Sequence, residues 1–149
     1  MPWCHSGYSS NEARAWVTRQ VAAFAAGTQY EFLIVSGDGR MLGGCGLNEI
    51  ERANRRANLG YWVRSSAVRR GVAADAIRRL ADWAFRNTDL NRLELIVAAG
   101  NTASLAAARS AGAVREGLLR SRLVLHGRVH DAVVFSFVRE NHGGPPGPD

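Results

Sequence analysis

Between a β-forming run and a helical one stands the segment Val68-Arg69-Arg70-Gly71-Val72-Ala73-Ala74. A glycine among small residues lets backbone N–H groups approach a ligand closely. The first N–H groups of any α-helix lack an internal acceptor, and the helix dipole adds partial positive charge there. Arg69 and Arg70 can add paired hydrogen bonds, so the segment has the chemistry of a site for a pyrophosphate. The dipole supplies only about 0.3 to 1 kcal/mol, so several N–H bonds and an arginine must carry the affinity. An ordinary helix start can carry the same string, and the string alone does not separate the two readings.

Asn101-Thr102-Ala103-Ser104 is the second segment with chemistry, again just after a β-forming stretch. Asn101 can cap the following helix, with Ser104 at its third position. Equally, both side chains can face a ligand across a gap between two strands. The two cysteines, Cys4 and Cys45, stand far apart. They are expected to be reduced and are too few for a dedicated zinc site, so no metal is expected.

The elements that must position these residues follow from periodicity. Ser9 and Glu12 stand at capping-box spacing ahead of a helix on which Ala13, Trp16, Val17, Val21 and Phe24 recur, ending at Gly27. Trp16 and Phe24 are expected in the core. Residues 30–36 and 41–50 read as a hairpin around Gly37-Asp38-Gly39-Arg40, and Gly43, Gly44 and Gly46 suggest a bulge or a close backbone approach. Residues 51–58 read as a loop, 59–64 as a strand and 71–86 as an amphipathic helix with Ala76, Ile77, Leu80 and Ala84 on its inner face. Asp75 with Arg79 and Asp82 with Arg86 are pairs four apart, each worth about 0.3 kcal/mol. Leu93, Leu95 and Val97 mark a buried strand, residues 101–112 a short helix, and 114–125 with 129–138 a closing hairpin in which Asp131 is expected to meet an arginine. The order predicts an α/β fold, a mixed sheet with helices packed on it, in a single domain over residues 1–140. The Pro/Gly-rich tail, 141–149, is expected to be disordered.

The 149 residues are 46% hydrophobic and 21% charged, ordinary for a globular domain. No apolar run suits a membrane span, and residues 1–10 do not read as a signal peptide, so a cytoplasmic location is expected. All 19 basic residues are arginine, giving a net charge of +6. That balance points to an anionic partner, a phosphorylated cofactor or a nucleic acid. Nucleic acid is the weaker reading, because zinc-finger spacing and aromatics interleaved with arginines are both missing from the sequence.

Four runs appear in one order: Gly60-Tyr61-Trp62-Val63, then residues 69–76 (RRGVAADA), 101–113 (NTASLAAARSAGA) and 115–120 (REGLLR). Together they resemble the GNAT superfamily of N-acetyltransferases, specifically its RimJ/RimL-type branch, over roughly residues 30–138. The resemblance implies a GNAT-like sheet in which the strand at 61–64 splays from the strand at 93–97. The pantetheine arm of acetyl-CoA would lie in the gap and pair with backbone groups of Val63 and Arg64. Arg69, Arg70, Gly71, Val72, Ala73 and Ala74 would hold the pyrophosphate. Asn101 would bind the pantetheine, and Ser104 would protonate or position the departing thiolate. It further implies direct acetyl transfer to an amine, a protein N-terminus first or a small molecule second, and it is compatible with a homodimer. A CoA-binding domain that no longer transfers is the alternative within the same fold.

The sequence departs from the family in three places. Val68 stands where glutamine or arginine is usual, Ala113 where an aromatic is usual, and the first strand is expected to be missing, because the first helix starts by Ser10. For the general base, Glu49 at a strand end is the leading candidate, with Glu94, His126 and His130 behind it. A free α-amine near pKa ~8 needs only a modest base.

Overall fold

The computed structural model describes residues 9–142, with the backbone alone for Asn141. Cys4 and the tail from residue 143 lie outside these. Helix α1 (Ser10–Ala26) opens on the expected capping box, in which Ser9 Oγ accepts from the Glu12 N–H (3.2 Å) and Glu12 Oε2 accepts from the Ser9 N–H (2.7 Å). It ends at Gly27, whose φ of +67° is the left-handed conformation that glycine adopts without strain. The helix buries none of its residues, contrary to the expectation for Trp16 and Phe24. The reason is its footing. It meets the sheet mainly at β1, and Phe24 is half-exposed while its ring meets Tyr30 and Phe32 edge-on and Trp83 at a tilt, at 5.0 to 5.9 Å.

Six strands follow: β1 (Tyr30–Val35), β2 (Met41–Glu51), β3 (Arg56–Val63), β4 (Arg92–Ala98), β5 (Val114–Leu125) and β6 (Arg128–Val138). They form one sheet in the order β1-β2-β3-β4-β6-β5, parallel only between β3 and β4. The expected mixed sheet is therefore present. β3 begins at Arg56 rather than Leu59, because Arg56 is drawn into the sheet by Glu51 on β2 and Glu94 on β4 (2.8 and 3.3 Å). The β5–β6 turn has positive φ at both His126 and Gly127, the backbone of a two-residue hairpin.

Helix α2 (Val72–Asn87) packs on the sheet through Ala76, Ile77, Leu80, Ala81, Ala84 and Phe85, one stripe at helical spacing. Short α3 (Thr102–Ser110) lies beside it through Ala108. Between these helices and the sheet lies the core, deepest at Leu47, Ile77, Leu93, Leu95 and Phe135. Arg139 locks the far end of α2. Its guanidinium donates to the carbonyls of Phe85, Thr88 and Leu90 at 2.5 to 3.1 Å and lies over the Phe85 ring. Asp75 pairs with Arg79 as expected and also with Arg78, whereas Asp82 contacts His142 instead of Arg86. Asp131 accepts from the Ser121 N–H (2.8 Å) rather than from an arginine, because a β-bulge at Ser121 turns that amide toward it.

Candidate functional site

β3 and β4 pair only through Arg56–Arg92, Ala57–Leu93 and Asn58–Glu94. Beyond that foot, β3 stays with β2 as far as Val63 and β4 stays with β6 as far as Ala98, so the two central strands part. The foot is fastened by the N–H groups of Asn91 and Arg92 on the Arg55 carbonyl (2.6 and 3.3 Å) and by an ionic ladder on the sheet face opposite the helices. In that ladder Glu51 meets Arg56, Arg56 meets Glu94, Glu94 meets Arg92, and Arg92 meets Glu116, which also accepts from Ser136 Oγ. Arg92 and Ser136 hold the Glu116 carboxyl well below the usual range, at about 2. Glu94 is thus committed to two arginines and is structural, not a base.

Above the foot, successive β3 residues turn their backbone groups to opposite edges. The Arg64 N–H donates to Leu42 O on β2 (2.8 Å), which turns the N–H and carbonyl of Val63, and of Tyr61 before it, toward the gap. The Arg64 carbonyl already accepts from Ala67 (2.8 Å). The backbone groups of Tyr61 and Val63 are thus the ones that face the gap, while those of Arg64 are engaged with Leu42 and Ala67. The Arg64 side chain is exposed nearby.

The chain next crosses a 3-10 turn (Ser65–Ala67) and enters α2 through Arg69 and Gly71, both left-handed at φ +62° and +73°. A non-glycine residue held there costs roughly 1 kcal/mol or more, a strain more often found where a loop must grip something. Gly71 is the N-cap and provides no side-chain acceptor, so the first-turn N–H groups of Val72, Ala73 and Ala74 stay uncapped. Both other helices are capped by side chains, Ser9 for α1 and Asn101 for α3. Arg69 and Arg70 are exposed, with no acidic partner among the described residues.

Asn101 takes the capping role, its Oδ1 accepting from the Ser104 N–H (3.1 Å). Its amide N–H groups and the half-buried Ser104 hydroxyl have no protein partner among the described residues. Both sit beyond the C-terminal end of β4, on the same end of the sheet as Val63 and the Arg69–Ala74 loop. Glu49 does not join them. It is exposed in a β2 bulge at φ +49°, level with the paired foot. His126 and His130 belong to the β5–β6 hairpin.

One group was invisible to sequence reasoning. Tyr61 lies on the strand that borders the gap, and its hydroxyl is buried without a hydrogen-bond partner. An orphaned buried hydroxyl ordinarily costs about 1 to 3 kcal/mol, and the Tyr61 ring that carries it packs against the core. The uncapped helix start, the two unpaired arginines and the gap-facing backbone groups of Tyr61 and Val63 together suit acetyl-CoA: an anionic pyrophosphate at one end and an amide-bearing arm at the other. Cys45 is buried, and burial pushes its thiol up to about 11, which removes it as a nucleophile. Among the described residues no cluster of His, Cys, Asp or Glu could hold a metal ion, and no helix is long and apolar enough to cross a membrane. A cavity of about 590 Å³ lies on the other side of α2, against β1 and β2, and includes neither Asn101 nor Ser104.

Comparison with known proteins shows the family. Residues 1–114 match the family described as the acetyltransferase (GNAT) domain. YdaF of Bacillus subtilis (strain 168), named provisionally as a ribosomal N-acetyltransferase, is 33% identical over 107 residues, which cover 72% of this chain and 58% of that protein. The N-acetyltransferase p20 of Bacillus licheniformis, named as uncharacterized, is 34% identical over 112 residues, 75% of this chain and 63% of that one. The chain thus spans about three-fifths of these relatives. A crystal structure described as a probable acetyltransferase superimposes with a TM-score of 0.82 at 28% identity, covering 89% of this chain and 74% of that one.

Proposed function

The chain belongs to the GNAT acetyltransferase family, on its RimJ/RimL-type branch, and from that premise we propose that it transfers an acetyl group from acetyl-CoA to the α-amine of a protein N-terminus. The observation that carries the cofactor half is the uncapped start of α2 beside the parted strands, with Arg69 and Arg70 unpaired. The acceptor half is supported by the ribosomal name of a relative matched over most of this chain.

Acetyl-CoA supplies an acetyl group activated as a thioester. The N–H groups of Val72, Ala73 and Ala74, with Arg69 and Arg70, hold the pyrophosphate, and Gly71 leaves that approach clear. Backbone groups of Tyr61 and Val63 and the Asn101 amide fix the arm in the gap. Fixing both reactants in this way removes much of the entropic barrier. The amine nitrogen attacks the thioester carbonyl, the carbon–sulfur bond breaks, and Ser104 Oγ–H donates to the departing thiolate. An α-amine needs little basicity from the protein, so water takes its proton, and Glu49, level with the foot, has no part in this step. The reading carries a cytoplasmic location with it.

Incubation with acetyl-CoA and a panel of short peptides, read by mass spectrometry, tests the acceptor. Added acetyl on the α-amine of free peptides, and not on N-terminally blocked lysine peptides, is the expected result. Acetylation of small amines such as diaminobutane, with every peptide untouched, would replace the protein acceptor by a small molecule.

A further inference from the structure

The sheet face opposite the helices carries one carboxylate that the ionic ladder leaves out. Tyr30 and Phe32 turn toward α2, where their rings meet Trp83, so Glu31 between them points to the other face. Glu51, Glu94 and Glu116 on that face are each bonded to Arg56 or Arg92. Glu31 is half-buried and has no cationic partner among the described residues; its one hydrogen bond comes from the Gln29 amide (2.8 Å). Burial pushes its carboxyl above the ordinary range despite that bond. A desolvated carboxylate without a cation is unfavourable, and an ammonium placed against it removes the penalty.

Its position is built rather than incidental. Glu31 lies flat across Gly46, where a Cβ would strike its carboxylate and the Tyr30 carbonyl (2.5 Å). Two residues along β2, the Trp62 indole lies across Gly44 in the same way, its Nε1 only 2.7 Å from where a Cβ would stand. The two glycines thus seat a carboxylate and an indole side by side, the pair of surfaces that attracts an organic cation. Trp62 belongs to β3, the strand that borders the gap. The Glu31 carboxylate lies over β2, one strand spacing from β3 and, with the width of the gap beyond, roughly 10 Å from an amine reacting there, too far to take its proton.

We propose that Glu31 and Trp62 receive a second positive charge on the acceptor, so that the preferred acceptor is an amine with another cationic group roughly 10 Å from the reacting nitrogen. The inference rests on the acetyltransferase reading for the position of the reacting amine. A basic side chain near a protein N-terminus and a small diamine share this chemistry.

Equilibrium binding of two matched pairs, with and without CoA present, tests it. One pair is a tetrapeptide with lysine in second place against the same peptide with norleucine; the other is 1,7-diaminoheptane against aminoheptane. The intact chain should prefer the charged member of at least one pair by about tenfold, the range of one charge-assisted hydrogen bond. Which pair shows the preference identifies the source of the charge. Glu31→Gln, which keeps the Gln29 contact and the volume, should abolish the preference, Glu31→Asp should retain part of it, and the paired Glu51→Gln should keep it. No preference in the intact chain, or one that survives Glu31→Gln, overturns the proposal. Acetyl-CoA titrated into the same variants reads the functional premise separately: Glu31→Gln should leave that affinity unchanged, and an intact chain that binds no acetyl-CoA sinks the premise rather than the charge site.

Discussion

Tyr61 and Ser104 carry hydroxyls without partners among the described residues, and the two differ in cost. Ser104 is half-buried and can borrow water, whereas the Tyr61 hydroxyl is buried from it. Replacing Tyr61 by Phe removes an unsatisfied polar atom at constant shape, so the ligand-free chain should gain about 1 kcal/mol of unfolding stability. Denaturant unfolding measures the effect, and a less stable variant would contradict it. At this scale the sequence showed the polar residues but not their surroundings. Arg69 to Ala74 and Asn101 were legible because glycine, arginine and a cap after a strand are local signals. Glu31 had a signal too, a lone acid inside Tyr-Glu-Phe-Leu-Ile-Val, but its meaning depends on two glycines on a neighbouring strand. That Arg64 is already engaged on β2 is likewise a matter of register, which no local string contains.

Among the elements, the foot of the gap is where sequence-distant strands must be held while their upper halves part. The ladder from Glu51 to Glu116 crosses β2, β3, β4 and β5 there. Glu116 has the clearest titration signature. Its carboxyl is depressed when folded, to about 2, so the contact contributes fully above the unfolded value near ~4.3 and is lost as pH falls from there toward about 2. The Glu116 side chain is 37% exposed, which trims the contribution through solvent screening. Thermal unfolding from pH 7 down to pH 2 should therefore show an acid limb that Glu116→Gln flattens. An identical acid limb in the variant would mean that the ladder does not hold the foot. The elements were largely legible, since helices α2 and α3 and the two hairpins follow local periodicity. β3 was read three residues short because Arg56 looks like a loop residue until Glu51 and Glu94 stand on either side of it. Trp16 and Phe24 follow core spacing on α1, yet the helix has too little sheet beneath it to bury them.

For the molecule as a whole, Arg69, Arg70 and the parted parallel pair serve one end. That end of the sheet gathers the uncapped α2, Arg69, Arg70, Asn101 and Ser104, while the face opposite the helices carries Glu31 and Trp62 beside the ladder of Glu51, Arg56, Glu94, Arg92 and Glu116. An anionic cofactor at one end and a cationic acceptor on the other face are the arrangement this charge layout favours. The central claim is that the gap and the start of α2 form an acetyl-CoA site. Thermal unfolding of the purified chain with and without excess acetyl-CoA tests it most directly, with Gly71→Glu alongside. Gly71 has open space above it, so a carboxylate there would project where the pyrophosphate lies and repel it. At 100 times its Kd the ligand should add about 2.7 kcal/mol to the intact chain, a plain rise in Tm, and should leave Gly71→Glu unmoved. No rise in the folded intact chain, or an equal rise in Gly71→Glu, would contradict the assignment.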